Sequence, residues 1–447
     1  MDGSRTVAPD GGVPFAEAVR LWAKVGILSF GGAAGQIAML HRFVVEERRW
    51  MDERAFLAAL NFVTLLPGPE AQQLATYIGW RLHGAWGGLL AGALFVVPGA
   101  LVMLALTLLY VAGGGSALVA GAFLGIKAAV LAIVAEALHR IGKRALKTPL
   151  LVALAVLSLV ALLAFDLPFP VVIVAAGLFG AGVSLAAPER LGLADRNAPV
   201  TALPAGRGSG LVPVLASAAL WALPVVVAAL LLGPGHVLVE IGLFFSKLAV
   251  VTFGGAYAVL AYLADAAVEA KRWVLAGEMV DALGLAETTP GPTILVNQFV
   301  GTLAAMRAPA PFSAPVAAVL GALMTSWVTF APSFLWIYLG GPHLERLTGD
   351  RRLAGALTGI TAAVVGVIAT LAFTFAINVL FADVGAWRLG PAMLPWPNLA
   401  SLRLDAAGLA VFAALLLFVW HRGVVQTVAL PALAGLLLAA ARGWGGF

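Results

Sequence analysis

Apolar residues fill the chain in long runs separated by short polar stretches. The runs are Phe15–Leu40, Ala55–Leu82, Gly84–Val111, Ala117–Leu138, Pro149–Phe165, Phe169–Ala187, Leu211–Leu232, His236–Ala264, Ala276–Ala305, Pro315–Leu339, Leu353–Phe381, Leu404–Trp420 and Val424–Ala441. A helix needs about 20 apolar residues to cross a bilayer core, so the pattern predicts an all-α polytopic membrane protein with about 13 transmembrane segments. Four runs are interrupted. Ser29-Phe30-Gly31-Gly32 breaks the first and Thr252-Phe253-Gly254-Gly255 the eighth. Pro67-Gly68-Pro69 breaks the second and Pro290-Gly291-Pro292 the ninth. Two prolines remove two amide donors and the glycine between them frees the backbone, so a helix stops there. The second proline suits the start of a new helix, which places helix starts at Glu70 and Thr293.

Composition sharpens this picture. The 447 residues are 62% hydrophobic and 11% charged, against about 25% charged in a soluble domain. The net charge of +5 gives no reason to invoke nucleic acid, because basic loops follow from the positive-inside rule alone. There is no cysteine, which excludes disulfides and thiolate chemistry. The first fourteen residues are polar and lack the form of a cleavable signal, so the first span is expected to act as the insertion signal.

The interruptions belong to an internal repeat. A shift of 223 positions lays Trp22–Pro69 on Phe245–Pro292 without a gap, and 16 of the 48 pairs are identical. They include Lys24 with Lys247, Glu46 with Glu269, Arg49 with Arg272 and Trp50 with Trp273. Further on the shift becomes 234, laying Pro98 on Pro332 and Gly125 on Gly359, with an insertion near Arg307–Ser313. The reading is an N-terminal repeat of about six spans at 1–187, a polar linker plus one unmatched span at 188–232, and a C-terminal repeat at 233–447. Seven crossings between equivalent points invert the second repeat. With a cytoplasmic N-terminus the basic clusters around Arg140–Lys147, Arg190–Arg207 and Arg346–Arg352 fall inside, as the rule asks. Arg42, Arg48, Arg49 and Arg54 fall outside. Either that loop folds into the protein or the span count is off near the first break.

Paired broken helices in corresponding halves are the sequence pointer to a transporter's binding site. A helix start offers unbonded amides and the positive end of a dipole to an anion. The candidate substrate site therefore comprises Pro67, Gly68 and Pro69 with Thr288, Thr289, Pro290, Gly291 and Pro292. Ser29, Gly31, Gly32, Thr252, Gly254 and Gly255 join it as a backbone cradle, although Gly31-xxx-Gly35 reads equally well as helix packing. Lys24 and Lys247 are expected to face the interior and add positive potential; the plainer alternative is snorkelling to the interface. Glu70 and Glu287 flank the breaks as candidates for proton coupling, and Lys127, opposite Thr361 across the repeat, marks an asymmetry. The Asp383–Arg403 stretch, with its prolines and tryptophans, reads as an interfacial loop. No P-loop, His-x-x-x-His or Ser-His-Asp pattern is present, which leaves no catalytic, metal or cofactor site to assign.

Ser-Phe-Gly-Gly at 29–32, the stretch Leu66 to Gly79 (Leu-Pro-Gly-Pro-Glu-Ala-x-Gln-Leu-Ala-x-Tyr-Ile-Gly) and Glu287 to Pro292 (Glu-Thr-Thr-Pro-Gly-Pro) resemble the chromate ion transporter family in its two-domain form. The resemblance covers nearly the whole chain. It implies a prokaryotic plasma-membrane protein that expels chromate, coupled to the proton gradient, with the near-isosteric sulfate as a second candidate substrate. It implies protons, the anion and the lipid bilayer as partners, no cofactor and no enzyme activity, with a homodimer as one candidate assembly. Lys127 and the Asp383–Arg403 stretch do not map onto the family pattern. A sulfate or other oxyanion transporter or channel, and more remotely a membrane-embedded enzyme, are the rival readings.

Overall fold

A computed structural model describes residues 13–29, 32–113, 116–193, 210–253, 256–344, 350–389 and 392–444. Among these the chain is almost wholly helical. The helices are α1 (Phe15–Leu28), α2 (Gly32–His41), α3 (Glu53–Val63), α4 (Glu70–Gly113), α5 (Ala117–Ala145), α6 (Pro149–Leu163), α7 (Phe169–Ala186) and α8 (Leu211–Leu232). They continue with α9 (Val237–Val251), α10 (Ala256–Asp265), α11 (Ala276–Thr288), α12 (Val296–Arg307), α13 (Ala314–Gly340), α14 (Arg351–Leu380), α15 (Leu404–Ala414) and α16 (Val424–Trp444). Among the described residues, 7 helices are long and apolar enough to cross a membrane, and Pro149–Leu163 and Leu404–Val419 are shorter apolar helices.

The four interrupted runs are not single spans. Each is a pair of short helices: α1 with α2, α3 with the start of α4, α9 with α10, and α11 with α12. At 1.5 Å per residue, the 14 residues of α1 reach only about 21 Å, short of a hydrocarbon core of about 30 Å. α4 is itself two helices merged across a kink, with non-helical His83 (φ −136°, ψ 23°) and Gly84 (φ 66°, ψ −161°). The expected starts hold. α4 begins at Glu70, and a 3-10 turn at Thr293–Leu295 leads into α12. The second proline of each triplet stands just before the start, as the capping residue: Pro69 O accepts from Gln73 N (3.0 Å) and Pro292 O from Leu295 N (2.9 Å).

The duplication extends to backbone detail. A π-helical turn closes α2 at Arg42–Glu47 and α10 at Ala266–Ala270. Each runs into a left-handed arginine, Arg49 at φ 53° and Arg272 at φ 54°. Trp50 N then reaches Val44 O and Trp273 N reaches Ala267 O, both at 2.8 Å. The basic stretch after α2, which broke the charge rule, packs back onto the protein. Arg48 pairs with Glu17 of α1, Arg42 Nε with Glu47 (2.7 Å), and Trp50 is buried.

Two compact units share the chain, and each draws on both repeats. The first takes Met1–Leu104, Asn197–Ala256 and Thr289–Asp350. It holds all four breaks' Ser29, Gly68, Thr252 and Gly291, and the unmatched α8, which packs on α9 and α13. The second takes Ala105–Arg196, Tyr257–Thr288 and Arg351–Phe447. There α14 lies against α6 and α7, and α5 against α11, α15 and α16. Small residues let these backbones close: a Cβ on Gly180 would enter Gly355 O, and one on Gly125 would enter Pro431 O. In the same unit, Asp383–Arg403 forms an antiparallel hairpin rather than a plain loop. Its strands β1 (Val384–Leu389) and β2 (Ala392–Pro397) pair with Trp387 opposite Leu394. Trp387 and Trp396 are exposed with ring centroids 6.1 Å apart, as suits a membrane–water interface.

Candidate functional site

Each helix break needs acceptors and donors for the backbone it frees. In the first unit the breaks supply one another. Gly68 N donates to Thr252 O (2.8 Å), and Gly291 N donates to Ser29 O (2.9 Å). Gly68 is the repeat equivalent of Gly291, and Ser29 that of Thr252. The Pro-Gly-Pro of each repeat therefore bonds the Ser/Thr break of the other, a self-complementary exchange that defines a local pseudo-two-fold relation. Both glycines need positive φ, 122° at Gly68 and 94° at Gly291, which side chains with a Cβ rarely adopt.

Side chains complete the two junctions differently. Ser29 Oγ also accepts from Gly291 N (2.8 Å) and donates to Gly26 O (2.8 Å), whereas Thr252 Oγ1 only bonds back to Leu248 O (2.6 Å). Gln36 Nε2 reaches Ser29 O (3.0 Å) and Gly291 O (2.6 Å) at one junction. Gln73 Nε2 reaches Pro67 O (2.7 Å) at the other. Gly99 presses on the second triplet so closely that a Cβ would enter Pro290 O. Its equivalent Ser333 stands by the first, with Oγ 3.4 Å from where a Gly68 Cβ would lie. That hydroxyl is buried and has no hydrogen-bond partner.

The glycine amides, then, are consumed by the junctions and are not anion donors. What remains is the first turn of each new helix, Glu70–Gln72 and Thr293–Ile294, whose amides have no preceding turn to bond. Around them the buried polar side chains are neutral: Gln72, Gln73, Thr293, Asn297, Gln298 and Ser333. Glu70 is half-buried and Glu287 buried, each with a polar or electrostatic partner. Thr289 is buried, and Thr288 Oγ1 bonds back to Leu285 O (2.8 Å). Gly32 has φ 67° at the start of α2. Gly31, Gly254 and Gly255 lie outside the described residues.

The lysines depart from expectation, because neither is buried. Lys24 is exposed on α1, its Nζ 4.7 Å from the centroid of the Phe43 ring, and Lys247 is exposed on α9. Cation–π contact and an aqueous or headgroup setting satisfy an ammonium without burial. Lys127, by contrast, is 3.2 Å from Asp281, a buried acid that repeat comparison passes over because its equivalent is Ala58. A lone charge in an apolar run was the available signal. Among the described residues no group of three metal-ligating side chains occurs.

A helical membrane protein, duplicated, with helices broken in pairs and their breaks interlocked, has an architecture found in transporters built from repeats. Comparison narrows this further. Residues 16–181 and 239–441 match the family model described as chromate transporter, and the chain belongs to that family. It is 34% identical over 424 residues to a chromate transport protein of Pseudomonas aeruginosa, covering 93% of this chain and 90% of that one. A chromate transport protein of Cupriavidus metallidurans is 30% identical over 355 residues (78% and 80%). An uncharacterised transporter of Methanocaldococcus jannaschii is 24% identical over 367 residues (80% and 83%). No solved structure matches the chain.

Proposed function

We propose that this protein exports chromate across the plasma membrane of a prokaryotic cell, in exchange for protons. The observation that supports this most is the interlocked pair of junctions in the first unit, which holds two helix starts in fixed backbone geometry. In this reading the tetrahedral dianion is held between the two helix starts at Pro69–Ala71 and Pro292–Ile294, near the bilayer midplane, by the amides of Glu70, Ala71, Thr293 and Ile294. The Pro-Gly-Pro and Ser/Thr-Phe-Gly-Gly segments shape that cradle. The Ser333 hydroxyl adds a neutral donor beside the first start. Lys24 and Lys247 act at a distance, raising the positive potential rather than touching the ion. Glu70 and Glu287 are the carboxylates nearest the breaks.

Export agrees with the energetics. An inside-negative potential is worth about 2.3 kcal/mol per charge per 100 mV. A departing dianion therefore gains roughly 4–5 kcal/mol, or about three decades of gradient. A site made of backbone amides reads charge and shape more than the central atom, so sulfate competes with chromate, whereas phosphate, differently charged, competes less.

The test is chromate uptake into proteoliposomes and inverted vesicles, with sulfate and phosphate as competitors. Chromate accumulation inhibited by sulfate is expected. No chromate flux above protein-free liposomes, or flux unmoved by a large excess of sulfate, would overturn the reading.

A further inference from the structure

The second unit contains a buried polar cluster that the paired breaks do not explain. Asp281, on α11, is 2% exposed. Its Oδ2 accepts from Tyr110 Oη (3.0 Å) and lies 3.2 Å from Lys127 Nζ. Its Oδ1 is buried with no hydrogen-bond partner. The local sequence builds this arrangement. Gly284 lets α11 close on Ile126 of α5, where a Cβ would collide with the Ile126 side chain. Gly277, one turn before Asp281, leaves room for the ammonium, since a Cβ there would stand 3.3 Å from Nζ. Tyr110, near the end of α4, is held edge-on by Phe123 of α5 at 4.8 Å.

Such a cluster is a poor device for stability. A buried ion pair rarely gains more than an apolar substitute would, and a carboxylate oxygen facing no donor adds a desolvation cost. An ionisable group in this setting is by default functional. Its distribution across the repeat is the second clue. Lys127 lies opposite Thr361, Tyr110 opposite Leu344 and Asp281 opposite Ala58. Each member has a non-ionisable equivalent, so the cluster exists once, whereas the glycine junctions exist twice.

The surrounding charges are few. Glu278 stands one turn earlier on α11 itself, and Lys127 and Tyr110 approach from α5 and α4. The remaining charges of α5 begin at Glu136, more than two turns on. α14 and α16 also pack on α11. Their charges are at their ends: Arg351 and Arg352 on α14, and Arg442, paired with Asp405, on α16.

We propose that Asp281 is the carboxylate that carries the proton in the transport cycle, with Lys127 as the countercharge freed when it is protonated and Tyr110 as the positioning residue for Oδ2. This rests on the proton-coupled export proposed above and assigns its coupling to one site. One proton adds to the unpartnered Oδ1 from one side of the membrane, neutralising the carboxylate. The Lys127 ammonium then loses its partner, and the protein returns to the cytoplasm-facing state without the dianion. Loss of that proton to the other side restores the pair. No bond other than O–H is made or broken.

Two readouts test the assignment. The first is proteoliposome counterflow of chromate, with and without an imposed pH gradient, for wild type, Asp281→Asn, Glu70→Gln and Glu287→Gln. Counterflow in Asp281→Asn is expected to ignore the pH gradient, while both glutamate variants still respond. The second needs no substrate. A pH-difference infrared spectrum should contain a protonated-carboxyl band that disappears in Asp281→Asn. Should that variant fail to fold, Lys127→Met/Asp281→Asn, which removes the pair together, serves in its place. An undiminished gradient response, or an infrared band unchanged by the substitution, overturns the proposal. A band that behaves as expected in a protein with no chromate flux would leave the proton site standing and sink the chromate reading instead.

Discussion

The Gly291 amide donates to both the carbonyl and the hydroxyl oxygen of Ser29, 262 residues away in sequence. One N–H thus joins the Pro-Gly-Pro break of the second repeat to the first break of the chain. Its counterpart, Gly68 to Thr252, uses the carbonyl alone. The two junctions share a backbone plan and differ in what side chains add. Ser29→Ala is therefore expected to destabilise the protein by about 1 kcal/mol, and Thr252→Val by less. Thermal unfolding in detergent measures both, and equal losses would contradict the asymmetry.

Backbone shape at the triplets leaves little freedom. Gly291→Ala forces a Cβ onto a positive-φ position, at a cost of about 1–3 kcal/mol. Gly99→Ala pushes into Pro290 O without changing the triplet itself. Both variants are expected to lower chromate binding more than Glu70→Gln. Binding to purified protein decides this, and wild-type affinity in both glycine variants would remove the triplets from the site.

Exposed lysines act through screened potential, so salt exposes their role. Lys24→Met/Lys247→Met is expected to raise the half-saturating chromate concentration at low ionic strength, with the gap to wild type closing as salt is added. Identical affinity at low salt would show that the two ammonium groups only anchor their helices.

His41, at the end of α2, sits between two carboxylates, with Nε2 2.6 Å from Glu53 and Nδ1 3.1 Å from Glu46. Hydrogen bonding to Glu53 is the largest cause; desolvation opposes it, the charges of Glu53 and Glu46 add to it, and the pKa lies above the ordinary histidine value. A raised folded-state pKa means the contribution is complete below the unfolded value and fades as pH rises through the folded one. The midpoint of thermal unfolding should fall across that window in wild type and fall less in His41→Gln. Parallel pH profiles would show that the cluster does not support the fold.

Inversion of the repeats has a direct test in a chain without cysteine. Single cysteines at Arg49 and Arg272, both exposed and in matching left-handed turns, should react with a membrane-impermeant thiol reagent from opposite sides. Labelling from one side only would place the repeats in parallel.

Much of the architecture was legible in the sequence because membrane helices satisfy their own backbone, so apolar length alone bounds them. Leu211–Leu232 and the helix start at Glu70 were readable to the residue. The breaks at Pro67–Pro69 and Pro290–Pro292 were equally plain, because proline and glycine act locally. What they bond was not legible. Ser29 meets Gly291 only through tertiary folding, and nothing in the 223-position shift says that the repeats exchange partners rather than each closing on itself. Repeat matching marked Lys127 as unpaired but passed over Asp281 and Tyr110, because it rewards residues that recur and those two do not. Lysine exposure was not legible for a related reason: Lys24 recurs as Lys247, but recurrence does not say which way a side chain faces, and the Phe43 ring beside Lys24 is met only in the folded chain.

The exchanged junctions also set an order of events during synthesis. Gly68 leaves the ribosome long before Thr252, and Ser29 long before Gly291. At about 5–20 residues per second, the 184 positions from Gly68 to Thr252 take roughly 9–37 s to translate, and the 262 from Ser29 to Gly291 roughly 13–52 s. For those intervals the first repeat waits in the membrane with the amide of Gly68 and the carbonyl of Ser29 lacking their final partners. A nascent chain in this state is a natural client for insertion factors or chaperones that shield polar backbone from lipid, and arrest of translation between the repeats should leave it open to quality-control proteolysis.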